Sequence, residues 1–415
     1  MGNGRSRAEI ERHVERFDPW DKELAADSDL FWRVVDRIRE TGPVRRSEAC
    51  GGFWIISGHD EVLRANKDWQ TYSSAQGVTI PNNPDVPMLA PIEVDPPEHH
   101  DWRRMLNPLM SRPAVARHEP GMRRIAADLI DAFAAAGECD LAKDYAWQLV
   151  PTALFQLMLG VPVDQVPYTR DLVHKIVSFE TLELQRRAFA GLTEWANGFL
   201  TWRAGQPGQG DVADALIHGT VGGRPLTQDE RVNTAILLVL AGMETTSSSI
   251  CDVAAHLIED PSLACHFTGP DAPVELAVEE LLRHGSISYG LTRVTTRDVE
   301  IDGHTIPAGD RVFLLWASAN RDPAVFPEPA RFDVNRATTA HLAFGAGPHR
   351  CMGANFARLT LKVAVTEMVS RMPGLRLRPG ASVEHPPGVT RSTRSMPVLF
   401  EATPSPYLNA TAGRP

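Results

Sequence analysis

One cysteine framed by glycines is the residue in this chain best suited to bind a metal. Cys351 lies in residues 344–353, FGAGPHRCMG, directly before a helical pattern. A thiolate at a helix N-terminus is stabilised by free backbone N–H groups and by the positive end of the helix dipole. An isolated cysteine is more often an inert buried side chain, but the glycine frame favours a metal ligand. With a single thiolate and no partner cysteine, haem is the natural candidate.

This segment resembles the haem-binding signature of the cytochrome P450 family, F-G-x-G-x-H-x-C-x-G. The matching residues are Phe344, Gly345, Gly347, His349, Cys351 and Gly353. The resemblance implies that the cofactor is haem b (iron protoporphyrin IX), with Cys351 as the ligand of its iron. It also implies a mainly α fold, the cytochrome P450 fold, in which a large helical domain carries a small β-rich region.

A second motif interrupts a long helical pattern with polar residues, AGMETT at 241–246. Glycine, glutamate and threonine in an apolar helix cost helix propensity and desolvation, and the Thr245 hydroxyl is spaced to reach the Ala241 carbonyl. On these residues alone, an ordinary Thr-rich helix surface is the alternative. The resemblance to the family's A-G-x-[DE]-T-T helix places Ala241 against the haem. It also implies that Thr245 hydrogen-bonds bound oxygen while Glu244 relays protons from solvent.

Haem propionates need cationic partners, because buried carboxylates must be paired. Residues 95–104, DPPEHHDWRR, resemble the family segment D-P-P-E-H-x-x-x-R. The resemblance implies that His99 and Arg103 anchor the propionates together with Arg293 and His349.

A further motif, E-x-x-R at 280–283, places Glu280 and Arg283 on one helix face. Alone it indicates a surface ion pair. The resemblance implies instead that the pair joins Arg331 in a buried structural network.

The composition excludes several classes of protein. The chain has 415 residues, 43% of them hydrophobic, and a net charge of −10, so it lacks the basic footprint of a nucleic-acid binder. Its longest apolar run, at 235–243, is shorter than the about 20 residues that span a bilayer, and the N-terminus lacks the apolar core of a secretory signal. Five scattered cysteines, none in a C-x-x-C pair, argue against a disulfide framework or a structural zinc site. We expect a cytoplasmic protein with no nucleic-acid or membrane partner.

The remaining patterns predict how the chain is organised. Apolar periodicity predicts helices at 30–39, 123–136, 141–159, 231–259, 274–284 and 355–371, and strands at 52–56, 299–306 and 312–315. A hairpin within 298–311 turns at Asp302-Gly303, and the proline-rich segments 73–97 and 319–336 are predicted to be irregular. We interpret residues 1–19 as an N-terminal tail and 20–402 as a single cytochrome P450 domain, with a central helix at 228–259 and a haem-thiolate loop at 344–353. Residues 403–415 are interpreted as a flexible C-terminal tail.

The resemblance implies a monooxygenase that hydroxylates or epoxidises a hydrophobic small molecule, a natural product or a lipid, with one atom of O₂. Electrons would come from NAD(P)H through a ferredoxin reductase and a ferredoxin that docks near Cys351. Five cationic residues form the hypothetical docking patch: Arg104, Arg112, Arg350, Arg358 and Lys362. The alternatives are oxidative coupling, desaturation or ring formation with the same cofactor, and a haem-binding sensor or carrier.

The resemblance also outlines a substrate pocket of apolar side chains with a few hydroxyls. Its predicted lining includes Val78, Ile80, Met88, Leu89, Leu237, Leu240, Ser286, Ser288, Tyr289 and Val389. Arg391 is unusual in this region. It either pairs with a substrate carboxylate or points to solvent or to a propionate.

Overall fold

The computed structural model describes residues 6–82, 86–177 and 181–403, and helices predominate in it. The helices are α1 Arg7–Glu15, α2 Lys22–Ala26, α3 Ser28–Glu40, α4 His59–Lys67, α5 Glu98–Leu106, α6 Arg112–Ala116, α7 Glu119–Phe133, α8 Trp147–Ala153, α9 Val166–Val177, α10 Leu182–Ala204, α11 Val212–His218, α12 Gln228–Glu259, α13 Val274–Gly285, α14 Trp316–Ala319 and α15 Ala354–Arg371. The strands are β1 Val44–Ser47, β2 Phe53–Ile56, β3 Tyr72–Ser73, β4 Glu138–Asp140, β5 Thr220–Val221, β6 Arg224–Pro225, β7 Gly290–Thr295, β8 Val299–Ile301, β9 His304–Ile306, β10 Arg311–Leu315, β11 Arg376–Leu377 and β12 Pro397–Leu399. The mainly α fold with small sheets is confirmed.

Helix α12 is the central element of the helical region. It has 32 residues, which is about 48 Å of helix. A capping box begins it: the Thr227 hydroxyl accepts the Glu230 N–H at 3.2 Å, and the Glu230 carboxylate accepts the Thr227 N–H at 2.7 Å. Helices α8, α10 and α15 pack against it. Within the described ranges it is long and apolar enough to cross a membrane, but most of its apolar stretch is buried, as in the core helix of a soluble protein.

The main sheet has five strands in the order β1-β2-β10-β7-β3. Strand β10 pairs parallel to β2 and antiparallel to β7, which places Arg293 opposite Val312 inside the sheet. The predicted hairpin is confirmed: β8 pairs with β9 around Asp302 and Gly303, whose φ angles of 51° and 76° suit a two-residue turn.

Residues 7–19 are not the tail that the sequence interpretation assigned. Ser6 caps α1 by accepting the Glu9 N–H, and α1 packs on α3. Ile10 and Val14 are buried there, because their four-residue spacing places them on one face of α1, and Phe17 is buried just after the helix. Residues 404–415, most of the predicted C-terminal tail, lie outside the described residues. That 20–402 form a single domain stays a prediction.

The buried ion pair of α13 forms as predicted, but its third member differs. Arg283 binds the Glu280 carboxylate with two nitrogens, at 2.7 and 2.8 Å. The side chain of Arg336, not that of Arg331, completes the network, with its Nε 2.8 Å from Glu280 Oε1. Arg331 joins only through its backbone carbonyl, which accepts a hydrogen bond from Arg283 at 3.4 Å. The Arg331 side chain is 65% exposed and pairs with Glu328. The cause is local: the segment is irregular, so sequence spacing does not determine which arginine points inward.

This correction can be tested by comparing two arginines. Replacing Arg336 with Met removes a charged hydrogen bond to buried Glu280, so we expect the free energy of unfolding to fall by about 2–3 kcal/mol. Arg331→Met, an exposed change, is expected to cost no more than about 0.5 kcal/mol. Chemical denaturation of both variants measures the difference, and equal losses would contradict the assignment.

Candidate active site

A cavity of about 800 Å³ lies between α12, the loop before α15 and the long loop after β3. Cys351 and Gly353 line it from the loop before α15, and Ala241, Glu244 and Thr245 line it from α12. The two motifs are more than a hundred residues apart in sequence, and the fold places both on one cavity.

Backbone contacts fix the loop that carries Cys351. The Cys351 N–H donates to the Phe344 carbonyl at 2.8 Å. Gly345 and Gly347 have φ angles of +63° and +67°, a region that favours glycine. At Gly347 a Cβ would also overlap the backbone carbonyl of Asn66. The glycines therefore let the loop turn tightly against α4 and direct the sulfur into the cavity.

The surroundings of the thiol include several groups that favour its charged form. Burial raises the pKa of Cys351, while a hydrogen bond from the Gly353 N–H and the charges of Arg103, Arg350 and Arg358 oppose that rise. A metal ion bound to the sulfur would remove the thiol proton outright. The site is thus suited to a metal-bound thiolate.

The four predicted propionate anchors come together beside this loop. The rings of His99 and His349 lie 4.3 Å apart. Burial, together with neighbouring cations, lowers the pKa of His99 to about 4 and that of His349 to about 2. Arg293 is buried in the sheet, and burial lowers its pKa to about 10. Arg103 donates to the Arg350 carbonyl at 2.8 Å.

These groups fit the two carboxylates of a haem. Within the part of the chain that the structure describes, the Nδ1 atoms of His99 and His349 are buried and have no hydrogen-bond partner. Asp95 lies 4.0 Å from His349 Nε2, but its oxygens already accept hydrogen bonds from Ser73 and Ser74. Several cationic or donor groups thus face one place and share one protein carboxylate, an excess that two propionates would balance.

The polar centre of α12 has the predicted geometry. The Thr245 hydroxyl donates to the Ala241 carbonyl at 3.1 Å. Burial raises the pKa of Glu244 to about 7, and a hydrogen bond from Ser392 opposes the rise. A carboxyl group that titrates near neutral pH can both take up and release a proton under ordinary conditions.

Eight of the ten predicted pocket residues line the cavity; they are Val78, Ile80, Met88, Leu89, Leu237, Leu240, Ser288 and Val389. Ser286 and Tyr289 were predicted wrongly. The Ser286 hydroxyl donates to the Arg283 carbonyl at 2.7 Å, and the Tyr289 ring stacks on Phe31 at 4.1 Å. Ser286 and Tyr289 are therefore held away from the cavity, whereas Ile287 and Ser288 between them line it.

Neither predicted role of Arg391 holds. Its Nη1 lies 2.7 Å from Asp252 Oδ1 and its Nη2 lies 2.5 Å from Ser28 Oγ. Asp252 is buried at the cavity wall, and sequence reasoning missed it. A signal was available, because Asp252 follows Thr245 by seven residues and therefore lies on the same face of α12.

Two more charged residues of the wall were not foreseen. Arg311 donates to the carbonyls of Gln76 and Gly77 at 2.9 and 3.0 Å. The Glu93 carboxylate accepts the Leu89 N–H at 2.8 Å. Both side chains therefore bind the backbone of the loop after β3, and they fix it over the cavity.

Comparisons with known proteins agree with this geometry. The family model for cytochrome P450 matches residues 274–375. The chain is 33% identical over 380 residues to steroid C26-monooxygenase of Mycobacterium tuberculosis, an alignment that covers 89% of this chain and 100% of that protein. It is 31% identical to cytochrome P450 monooxygenase PikC of Streptomyces venezuelae, across 91% of this chain and 92% of that one.

A solved structure shows the same fold. It is a Mycobacterium marinum cytochrome P450 in complex with pseudoionone, 25% identical, with a TM-score of 0.84 over 92% of this chain and 99% of the other. Similarity of this extent, together with a cysteine loop and a polar helix centre on one cavity, shows that the chain belongs to the cytochrome P450 family of haem-thiolate monooxygenases, which act on hydrophobic molecules.

Proposed function

We propose that this enzyme uses haem b, held by Cys351, to hydroxylate or epoxidise an uncharged natural product or lipid. The observation that carries the proposal is that Cys351 and the pair Glu244 and Thr245 line one largely apolar cavity. When bound, the haem supplies the oxidising chemistry. His99, Arg103, Arg293 and His349 would hold its propionates, with Phe344, Gly345 and Ala241 against the ring.

We propose an uncharged substrate because three charged side chains of the cavity wall already have partners within the protein. Arg311 and Glu93 bind the backbone of the loop, and Asp252 is paired with Arg391. A substrate carboxylate would therefore enter an apolar cavity without a partner, which costs free energy. The names of similar proteins support a natural product or a lipid as the substrate: they specify a steroid, 20-oxo-5-O-mycaminosyltylactone and cyclomarin C.

A ligand series tests the charge of the substrate. We compare a long-chain carboxylic acid with its methyl ester and with the primary alcohol of equal chain length. Binding is measured by the shift of the haem absorption band. We expect the two neutral ligands to bind about ten-fold more tightly than the acid, because each tenfold is about 1.4 kcal/mol of unpaired charge. Tighter binding of the acid would contradict a neutral substrate.

Glu244 and Thr245 support O₂-dependent oxidation over a sensor or carrier. Burial raises the pKa of the Glu244 carboxyl to about 7, and this carboxyl and the Thr245 hydroxyl line the same cavity, so the pair can supply a proton to a molecule that reacts there. A carrier would not need this pair. The Thr245 hydroxyl donates its proton to the Ala241 carbonyl, so its oxygen can still accept a hydrogen bond in the cavity.

Removing the hydroxyl should separate electron use from product formation. In Thr245→Ala we expect NAD(P)H consumption to continue while most electrons are lost to hydrogen peroxide, because proton delivery is impaired. Thr245→Ser keeps a hydroxyl and is expected to stay coupled. Product and peroxide are quantified per NAD(P)H consumed. If Thr245→Ala forms as much product per NAD(P)H as the parent enzyme, Thr245 does not have the proposed role in proton delivery.

We infer that electrons reach the enzyme from NAD(P)H through a ferredoxin reductase and a ferredoxin. We place this reaction in the cytoplasm. Of the five patch residues, three are in ion pairs: Arg104 with Asp101, Arg358 with Glu279 and Lys362 with Glu275. Arg112 and Arg350 are exposed, and among the described residues they have no ion pair. Arg350 precedes Cys351, so it marks the surface nearest to the proposed ligand. We therefore narrow the docking patch to these two arginines.

Reversing one charge tests this surface. Arg350→Glu is expected to slow ferredoxin-supported turnover several-fold at low salt and by less at high salt, because docking charges are screened. Arg376→Glu is the matched control, an exposed arginine beyond the far end of α15, about 27 Å along that 18-residue helix. Equal rates in both variants would place docking elsewhere.

A further inference from the structure

Trp20 lines the cavity from the turn between α1 and α2, a part of the chain that the predicted lining does not include. Its indole N–H donates to the Ile80 carbonyl at 2.6 Å. Its ring packs against Gly388, where a Cβ would lie 3.7 Å from the ring atom Cζ3, and the Gly388 N–H donates to the Pro19 carbonyl at 2.9 Å. Ile80 and Gly388 also line the cavity, so Trp20 connects two stretches of its wall that are far apart in sequence.

The backbone of this turn is held by two further hydrogen bonds. The Trp20 N–H donates to Asp18 Oδ1 at 2.9 Å, and the Ser47 hydroxyl of β1 donates to the Phe17 carbonyl at 2.8 Å. Phe17 and Ser47 are both fully buried. The position of the Trp20 ring is therefore set by contacts between the N-terminal segment and the body of the fold.

The part of the roof that Trp20 contacts is residues 76–80, the roof segment, and its five consecutive backbone carbonyls all accept hydrogen bonds. The first four are bound by Arg311 and Thr292 of the main sheet, at 2.8–3.2 Å. The fifth, that of Ile80, accepts the indole N–H of Trp20. Trp20 therefore extends by one residue the stretch of roof that the protein holds in place.

We propose that Trp20 is a specificity-determining residue, whose ring fills the space between the roof segment and Gly388 and thereby limits the width of the substrate there. A tryptophan suits this role, because its rigid apolar body excludes other groups while its single donor fixes the orientation of the body. The inference rests on the proposed function, since it concerns the width of the molecule that the cavity accepts.

Two neutral azoles of different width test the proposal on the holoenzyme. N-Dodecylimidazole carries a linear chain, and N-tritylimidazole carries three phenyl rings on one carbon. Both bind the haem iron through a ring nitrogen, so their binding does not depend on the identity of the natural substrate. The dissociation constant of each azole is measured by the shift of the haem absorption band.

Removing the indole should favour the wide azole. In Trp20→Ala the linear chain loses contact with the ring, while the trityl group gains room. We expect the ratio of the two dissociation constants, linear over trityl, to rise about ten-fold, because a misfit of one methylene in an apolar pocket is worth at least about that factor. Trp20→Phe keeps most of the apolar volume and should stay close to the parent ratio. Trp20→Leu should move the ratio in the same direction as alanine, and it replaces the alanine variant if that variant loses haem.

A second measurement isolates the indole N–H and uses no ligand. Trp20→Phe removes the hydrogen bond to the Ile80 carbonyl, so we expect backbone amide exchange of residues 76–82 to become about five-fold faster, the factor for one lost hydrogen bond. Trp54 is the matched control, because it is also partly exposed, its indole N–H donates to Asp310 at 2.8 Å, and it lies outside the set of residues that line the cavity. Neither Trp54→Phe nor Trp54→Ala should change the exchange or the azole ratio.

Each outcome decides for or against the inference. If Trp20→Ala or Trp20→Leu binds haem fully and keeps the parent ratio, the ring does not limit the width of the ligand and the inference is overturned. A change of equal size in Trp54→Ala would assign the effect to the loss of any tryptophan, which also overturns it. Unchanged exchange in Trp20→Phe would remove the role of the N–H. The neutral-substrate proposal fails separately, on the acid and alcohol series, because neither azole carries the charge that this series tests.

Discussion

The close approach of the Cys351 loop to α4 is the constraint on which the site depends. Gly347 lies against the backbone of Asn66, where no side chain fits, and the Cys351 N–H binds the Phe344 carbonyl. The loop therefore has one conformation, and α15 begins directly after it. A side chain that binds a metal must be held in a fixed position by its surroundings. Steric exclusion at a glycine supplies that position, and the hydrogen bond from Arg103 to the Arg350 carbonyl adds to it.

Around this loop the protein treats buried charge in two ways. The Glu280 carboxylate of the scaffold is paired on both sides, by Arg283 and by Arg336. At the cavity the hydrogen bonding of the buried polar groups is incomplete. Among the described residues, His99 and His349 each have one buried ring nitrogen without a hydrogen-bond partner. A complete network stabilises and fixes structure, whereas an incomplete one costs stability that only a ligand can restore. The contrast between these two groups agrees with a structural role for Glu280 and with the binding role proposed for His99 and His349.

The sequence predicted correctly those residues whose position is determined within a single helix or a single loop. Cys351 lies in a tight glycine loop, and Thr245 reaches Ala241 because positions four apart in a helix are neighbours. Partner choice across irregular segments was not predictable. Arg331 and Arg336 are equally plausible in the sequence, and Arg391 finds Asp252 only because the C-terminal segment crosses α12. The overall helical class and the hairpin followed from periodicity. The packed α1 did not, because its nine residues give a weak pattern at the end of the chain.

The catalytic residues and most of the cavity wall come from different elements, which explains how one fold can accept different substrates. The proton-handling pair belongs to α12 and the sulfur to the loop before α15, and both elements are buried in the largest apolar core. The roof of the cavity comes from residues 75–82 and 86–93, and another part of the wall from 386–392. Substitutions in these loops alter the shape of the cavity and leave the sulfur and the carboxyl in place.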